Sequence, residues 1–129
     1  MSKKQLGDLQ LAIMRVLWRA GEASAADVHR ALLDERGLAP TTIATMLVKM
    51  ERKGVVAHRS EGRRYVYRPT VTETDVTRSM VGQLAERLFQ GDVHALVSHL
   101  LAEHEIDAAE LAELRGLIEE KEKEQGGAR

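Results

Sequence analysis

The sequence predicts a mainly α fold that contains one small β-hairpin, and three observations support this prediction. Apolar residues recur at helical spacing in six segments of the chain. Between residues 55 and 69 they alternate instead, and a glycine-containing turn signal interrupts the alternation. Charge is also divided, since residues 1–70 carry 13 Lys and Arg against 7 Asp and Glu, whereas residues 71–129 carry 6 against 13. We therefore predict two domains, residues 1–70 and residues 71–129.

The first two helices are short and have recognisable end signals. Asp8 is placed to cap a helix over residues 8–19. Ser24, with Asp27 three residues later, resembles a capping box and opens a second helix over residues 24–35.

The third helix begins beside a proline and has two distinct faces. Pro40 fits a first helical turn because the N–H that it lacks would be unpaired there. From about Thr41 the apolar residues recur at i, i+3, i+4 and i+7, and this stripe should face a core. The opposite face has small polar side chains first and cations later, so it can approach another surface closely. Gly54 is expected to end the helix.

A hairpin follows the third helix. We predict a strand over Val55–Arg59, a turn over Ser60–Arg63 and a returning strand over Tyr65–Tyr67. Pro69 closes this strand because proline cannot donate to a ladder. The three helices and the hairpin together predict an N-terminal winged helix-turn-helix, a motif whose recognition helix enters the major groove of DNA.

The residue types on this unit predict double-stranded DNA as its partner. Residues 52–68 contain six Arg or Lys against Glu61 alone, a balance typical of phosphate binding. Short side chains at the start of the third helix would let it sit deep in the groove, against base edges and thymine methyl groups. We assign that role to Thr41, Thr42, Ala44 and Thr45. We assign phosphate contacts to Lys49, Arg52, Arg59, Ser60, Arg63 and Arg64, with a hydroxyl contact from Tyr65.

These assignments have simpler structural alternatives. A basic run would also suit a solvated face of the protein. The hydroxyls of Thr42 and Thr45 could bond back to the preceding helical turn. Tyr65 and Tyr67 fall on the same side of the returning strand, so at least one of them is expected to pack against the core.

The C-terminal half predicts three more helices. Thr72 with Asp75 opens the first, Asp92 caps the second, and Asp107 with Glu110 caps the third. Their apolar stripes exceed what these helices can bury against each other and a small winged unit, so a partner is implied. The simplest partner is a second copy, which makes this half a helical dimerisation domain. We assign the homodimer interface to Met80, Leu84, Leu88, Val97, Leu100, Leu101, Leu111, Leu114 and Ile118.

The partner and the end of this half need separate comment. The alternative to a dimer is that the three helices wrap the winged unit of the same chain. The highly charged end, residues 121–129, contains a glycine pair and is expected to fray or to be disordered.

Composition and spacing disfavour other classes of function. The chain has no cysteine, which excludes disulfides, thiolate zinc sites and cysteine nucleophiles. No run approaches the ~18 apolar residues of a membrane span, and the N-terminal lysines precede no long apolar core, so we expect a cytoplasmic protein without a membrane partner. No HExxH motif, GxSxG motif or phosphate-binding glycine loop occurs. We therefore predict no enzyme activity and no cofactor.

Two further functions stay open as alternatives. His94, His99 and His104 recur every five residues, about 140° apart on a helix, so one helix cannot turn all three toward one ion. With Glu103 and Glu105, or across a dimer, they would make a metal-responsive repressor, although we assign no metal ligand. The other alternative is a winged-helix module that binds protein and not DNA.

The motifs with the most specific spacing resemble one family. They are Pro40–Leu47 (PTTIATML), Lys53–Gly54 and Glu61–Pro69 (EGRRYVYRP), followed by T-E-x-D and an acidic helical tail. This order covers nearly the whole chain and resembles the penicillinase repressors BlaI and MecI, with the copper-responsive CopY proteins as relatives. The resemblance implies a homodimeric repressor that an inducing signal relieves. Each subunit would give a winged helix to one half of a palindromic operator.

Three departures from the family limit what the resemblance implies. Family members often carry Lys or another long polar residue at the position of Thr41 and Arg or Gln at that of Ala44, so the operator sequence does not carry over. In the penicillinase repressors a membrane metalloprotease cuts an Asn-Phe bond, and the corresponding pair here is His99–Leu100. The inducer, an inactivating protease or another signal, therefore stays open. The copper relatives use a Cys-rich hook, which a chain without cysteine lacks.

Overall fold

A computed structural model describes residues 5–127, which form six helices and three short strands. In chain order they are α1 (Asp8–Ala20), β1 (Ala23–Ser24), α2 (Ala25–Arg36), α3 (Pro40–Lys53), β2 (Val56–Glu61), β3 (Arg64–Pro69), α4 (Glu73–Phe89), α5 (Val93–Glu103) and α6 (Ala108–Gly127). The chain divides into two compact units, and the division between Leu84 and Ala85 falls inside α4. The predicted mainly α fold with a small β wing is confirmed.

The N-terminal caps of α1 and α2 are formed by local hydrogen bonds. Asp8 was predicted to cap α1, but it is the first helical residue, and Gly7 occupies the N-cap position. The backbone N–H of Gly7 donates to Gln10 Oε1 at 3.2 Å, so a side chain inside the helix replaces the predicted cap. The capping box of α2 is confirmed: Asp27 N–H donates to Ser24 Oγ, and Ser24 N–H donates to Asp27 Oδ2, both at 3.1 Å.

Helix α3 forms as the sequence predicts. Pro40 is its first residue, and Gly54 ends it with φ 87° and ψ 18°, a left-handed conformation that costs glycine little. Ile43, Leu47 and Met50 are buried on one side. The opposite side of the helix is therefore left for other contacts.

The wing is a three-stranded antiparallel sheet in the order β1-β3-β2. Strands β2 and β3 stay paired as far as Glu61 opposite Arg64, which leaves a two-residue turn at Gly62–Arg63. The predicted turn over Ser60–Arg63 is therefore too long. The shorter turn is allowed because Gly62 takes a φ of 64°, as tight hairpins require.

Strand β1 is an element that the sequence did not predict. Its residues Ala23 and Ser24 pair with Tyr67 and Val66 of β3, and all four are buried. Two residues are too few to show an alternating pattern. Through β1 the connection between α1 and α2 is joined directly to the wing.

One hydrophobic core holds the first unit together, and it draws on every element from α1 to the start of α4. Its members are Leu6, Ala12, Ile13, Met14, Leu17, Ala23, Val28, Leu32, Ile43, Leu47, Met50, Val55, Val56, Tyr67 and Val76. The indole N–H of Trp18 also donates to the carbonyl of Val71 at 2.9 Å. Since Val76 is 1% exposed and Met80 packs against the same core, the first unit includes residues beyond position 70.

Helices α5 and α6 have no buried residue. Their predicted caps are confirmed, because Asp92 Oδ1 accepts from Ala95 N–H at 3.0 Å and Asp107 Oδ1 accepts from Glu110 N–H at 2.8 Å. No helix in the described part of the chain is long and apolar enough to cross a membrane.

The charged end of the chain is helical as far as Gly127, although residues 121–129 were expected to fray. Glu, Lys and Gln all have high helix propensity, and Glu119 stands four residues before Lys123, a spacing that supports a helix. Residues 128–129 lie outside the described range.

Candidate nucleic-acid interface

The outward face of α3 carries the side chains predicted to meet DNA bases. Thr41, Thr42, Thr45 and Lys49 are exposed, and together with Met46 they line a shallow depression of about 260 Å³. This arrangement follows from helical geometry, because residues three and four apart lie side by side on one face. Helix α3 thus presents small hydroxyl groups that border directly on a cation.

The three threonine hydroxyls are free for other partners. No side-chain hydrogen bond of Thr41, Thr42 or Thr45 occurs within residues 5–127, so neither Thr42 nor Thr45 bonds back to the preceding turn. A hydroxyl that is already satisfied would gain little from a base edge, whereas an exposed free one can donate and accept. The alternative of purely local bonding is therefore not supported.

Two of the predicted phosphate ligands are held by carboxylates. Arg59 forms ion pairs with Glu22 at 2.7 Å and with Glu61 at 2.9 Å. Arg64 forms an ion pair with Glu61 at 3.0 Å, and its guanidinium lies 4.0 Å from the Asp27 carboxylate. The sequence showed Glu61 beside these arginines, but Glu22 lies in the connection between α1 and β1, and Asp27 lies in α2.

The electrostatics of this cluster keep its carboxylates ionised. Hydrogen bonds from Arg64 and then Arg59 hold the pKa of Glu61 below its usual range. The hydrogen bond from Arg59 likewise lowers the pKa of Glu22, and the same pairing raises the pKa of Arg59. A phosphate that binds Arg59 or Arg64 must therefore compete with a carboxylate that stays charged.

Other predicted phosphate ligands have no such competitor. Lys49, Arg52 and Arg63 are exposed, and none forms an ion pair with a carboxylate in the part of the chain that the structure describes. Lys53, which contributed to the basic run, is turned away instead: its ammonium donates to the carbonyl of Gln5 and, at 3.2 Å, to Gln10 Oε1. The wing turn at Arg63 and the outward face of α3 thus carry the available cations.

The two wing tyrosines have different environments. Tyr67 is 5% exposed and belongs to the core, whereas Tyr65 is 53% exposed. His58 of β2 is the cross-strand partner of Tyr67, and its ring contacts both tyrosines, with centroids 4.2 Å from Tyr65 and 5.7 Å from Tyr67. His58 Nδ1 lies 2.6 Å from Glu51 Oε1, which fixes the imidazole against α3. The expectation that one tyrosine packs inward is confirmed, and the exposed Tyr65 hydroxyl is available to a ligand.

The remaining assigned residues lie around the same surface. Ser60 is exposed on β2, where it pairs with Tyr65 of β3. Ala44 is exposed on the side of α3 that faces the wing, next to Val48, which the sequence analysis did not assign. Val48 could have been found from the helical period, since it lies three residues after Thr45 on the outward face.

The second unit exposes large apolar side chains on α5 and α6. Val97, Leu100 and Leu101 of α5 are each at least 44% exposed, and the assigned residues of α6 are each at least 39% exposed. The large apolar residues left exposed in this unit and at the end of α4 are Leu84, Leu88, Val93, Val97, Leu100, Leu101, Leu111, Leu114, Leu117 and Ile118. Met80 differs from the rest of the assigned interface because it packs against the core of the first unit.

The histidines of the second unit do not gather into a metal site. Among residues 5–127 no three His, Asp or Glu side chains come together in a way that could hold an ion. The ring of His99 instead contacts that of Phe89, with centroids 5.9 Å apart.

Comparisons with known proteins identify the family of the chain. The family model described as Penicillinase repressor matches residues 6–120. The transcriptional regulator BlaI of Mycobacterium tuberculosis is 32% identical over 120 residues, which cover 92% of this chain and 86% of that protein. A penicillinase repressor of Bacillus licheniformis is 29% identical over 116 residues, which cover 90% of this chain and 91% of that one.

A solved structure matches the first unit. The solution structure of the DNA-binding domain of the repressor BlaI has a TM-score of 0.51 and 35% identity, covering 56% of this chain and 88% of that one. A family model that matches nearly the whole chain, together with these relatives and the winged helix-turn-helix, places the protein: it belongs to the penicillinase repressor (BlaI/MecI) family of DNA-binding transcriptional repressors, which are not enzymes.

Proposed function

We propose that this protein binds palindromic operators in double-stranded DNA as a homodimer, through its winged helices, and that an inducing signal releases it. The observation that carries the proposal is the outward face of α3, where three exposed threonines and Lys49 line one depression. In this division of labour residues 1–70 bind DNA and residues 71–129 dimerise. A repressor acts where the chromosome lies, so the proposal includes a cytoplasmic location.

The threonines of α3 are proposed to read bases. Thr41, Thr42 and Thr45 are short, so the helix backbone can approach the floor of the major groove, where hydroxyls can donate to and accept from base edges. Ala44 adds a methyl group at the same depth. These four residues supply selectivity and little of the affinity.

The cations are proposed to hold phosphates in two ways. Within residues 5–127, Lys49, Arg52 and Arg63 form no ion pair with a carboxylate, so they are proposed to bind phosphate oxygens directly. Arg59 and Arg64 must first break their ion pairs with Glu22 and Glu61 before they can bind a phosphate. Ser60 and the Tyr65 hydroxyl lie on the same wing and are proposed to add neutral hydrogen bonds.

The second unit is proposed to form the dimer interface. Val93, Val97, Leu100 and Leu101 recur at i, i+4, i+7 and i+8 along α5, so they make one continuous apolar stripe. Leu111, Leu114 and Ile118 repeat the pattern on α6. Exposed stripes of this kind favour a second copy as partner, and a two-fold dimer in turn favours a palindromic operator with half-sites ~10 bp or a multiple apart.

The inducing signal is proposed to act on the second unit. His99–Leu100, the pair that corresponds to the family's cleavage site, lies inside α5, and the Leu100 carbonyl accepts from His104 N–H at 3.2 Å. A protease needs extended backbone, so cleavage there would require α5 to unwind locally. A cut or any ligand that unwinds α5 would divide the apolar stripe and weaken the dimer.

The salt dependence of DNA binding tests the proposal. A duplex selected from a random pool by the wild-type chain is titrated at several salt concentrations. Affinity should fall as salt rises, and Arg63→Ala should lower the magnitude of the log–log slope by ~0.9, the value for one lost phosphate contact. Arg78→Ala is the control, because it removes an equal charge from α4, outside the proposed interface.

The outcomes separate the parts of the proposal. A wild-type chain that selects no duplex, or binds with no salt dependence, contradicts operator binding. A normal slope for Arg63→Ala removes the wing turn from the interface. If Arg78→Ala lowers the salt slope as much as Arg63→Ala does, the net charge of the protein sets the salt dependence, and the position of the arginine does not.

A further inference from the structure

The side of α3 that faces the wing forms an apolar cleft. The cleft has a volume of about 430 Å³ and lies between the start of α2, helix α3 and strand β3. Its lining is mostly apolar and consists of Ser24, Ala25, Ala26, Asp27, Arg30, Ala44, Val48, Arg64, Tyr65 and Tyr67. Val48 is 44% exposed within it, so a branched apolar side chain stands open beside the proposed base-reading residues.

Val48 occupies the middle of the outward face of α3. It follows Thr45 by three residues and precedes Arg52 by four, so it lies between a proposed base contact and a proposed phosphate contact. Ala44 lies one turn earlier on the same side and is also exposed. A helix that enters the major groove with Thr41 and Thr45 foremost therefore brings Val48 to the groove as well.

The charges in the cleft do not favour a phosphate there. The Asp27 carboxylate accepts hydrogen bonds from Ser24 N–H and from Arg30, and it lies 4.0 Å from Arg64. Both cations of the lining are thus partly neutralised by an acid that belongs to the capping box. The rest of the lining consists mainly of the methyl groups of alanines and of Val48, together with the tyrosine side chains.

DNA presents one apolar group to a protein in the major groove, the C5-methyl group of thymine. We infer that Val48, together with Ala44, forms a methyl-reading surface that selects thymine in the operator half-site. This inference rests on the proposed operator binding and adds to it a specificity-determining residue and the base that the residue reads. Val48 excludes water from the methyl group and would leave the N4 amino group of a cytosine in the same position without a hydrogen-bond acceptor.

Replacement of thymine by deoxyuridine tests the inference because it removes the methyl group alone. The probe is a duplex selected from a random pool by the wild-type chain, with each thymine of a half-site replaced in turn. At one or two positions the wild-type affinity should fall about fourfold, the amount expected for losing the burial of one methyl-sized group. For Val48→Ala the same replacements should change affinity by less than about twofold.

Leu33→Ala is the matched control. Leu33 is 47% exposed on α2 and does not line the cleft, so this variant should keep the full sensitivity to deoxyuridine. Equal sensitivity in wild type and Val48→Ala, or no sensitive thymine in the wild type, overturns the methyl-reading surface while operator binding itself survives. A wild-type chain that selects no duplex contradicts both the inference and the proposed function.

Discussion

Single arginines of the wing differ in what they must give up to bind a phosphate. Among the residues that the structure describes, Arg63 of the turn has no carboxylate partner, whereas Arg59 and Arg64 share Glu61. Each of these pairs is exposed, and exposed pairs are weak, on the order of 0–1 kcal/mol. In the proposed interface the Glu61 carboxylate would therefore lower the affinity of the wing for DNA without preventing binding.

Removing that carboxylate should strengthen DNA binding. Glu61→Gln leaves a side chain of nearly the same shape but releases both arginines and removes a charge that repels phosphate. At ~50 mM salt we expect affinity to rise about twofold to fivefold, and the gain should shrink as salt screens the cluster. Fluorescence anisotropy with the selected duplex measures both effects.

The control for this change is Glu113→Gln on α6, which alters the net charge equally but lies in the other unit. Equal gains in both variants would mean that the total charge of the protein matters and that Glu61 has no special position. Weaker binding by Glu61→Gln would mean that its ion pairs hold the wing in the shape that DNA requires.

The sequence could predict a residue of the interface only where its spatial neighbours are also close to it in the chain. The outward position of Thr41, Thr45 and Lys49 follows from the helical period of α3 alone, which requires no knowledge of the rest of the fold. The pairing of Arg59 with Glu22 could not be predicted in this way, because the two residues lie 37 positions apart in the chain. They meet because β1, which follows Glu22, pairs with β3 of the wing. Charge composition could locate the basic region but could not show which of its cations are neutralised.

At the scale of whole elements, Ser24 links helix α2 to the sheet of the wing. Its hydroxyl accepts the Asp27 N–H at the start of α2, and its backbone pairs with Val66 as part of β1. The side chain is also 3% exposed, so water cannot replace a lost hydrogen bond. The N-terminus of α2 and the anchoring of the wing therefore depend on one serine.

Ser24→Ala should destabilise the first unit. An alanine cannot accept the Asp27 N–H, and loss of an N-cap side chain costs about 1 kcal/mol, within a range of about 0.5–2. Urea unfolding followed by circular dichroism measures the change as a lower midpoint at an unchanged slope. Ser60→Ala, an exposed wing residue that caps no helix, is the control and should stay close to wild type. Equal midpoints for wild type and Ser24→Ala would show that the cap contributes no net stability.

Element ends were easier to predict than sheet details. Capping boxes and helix-ending glycines act within a few residues, so the starts of α2, α5 and α6 agree with the sequence. The hairpin turn depends on how far two strands stay paired, which is set by the packing of Tyr67 and Val66 and not by the turn residues alone. A two-residue strand such as β1 carries no periodic signal at all.

At the scale of the whole molecule the two units differ in what they leave exposed. The first unit buries its apolar residues in one core and exposes cations, whereas α5 and α6 bury none of their residues. Isolated helices of this kind would be marginal in water without a packing partner. The proposed dimer therefore stabilises the second unit and links two DNA-binding units at once.

An acidic residue in the apolar stripe should separate the subunits. Leu100 is 44% exposed and lies in the middle of the α5 stripe, so Leu100→Asp would bury an unpaired charge in the proposed interface. We expect association to weaken by about 3–5 kcal/mol. Operator affinity should fall with it, because a monomer contacts only one half-site and loses the linked second one. Sedimentation velocity and a binding titration on the same samples measure both effects.

Ala102→Asp is the control for the loss of association, because it places the same charge on α5 on the side away from Leu100. It should remain dimeric and bind the full operator as wild type does, and circular dichroism should show equal helix content in both variants. A folded Leu100→Asp that stays dimeric removes Leu100 from the interface, and a wild-type chain that sediments as a monomer at micromolar concentration contradicts the dimer. If both variants dissociate alike, the negative charge of α5 controls association and the apolar stripe does not, since only Leu100→Asp also removes a side chain of that stripe.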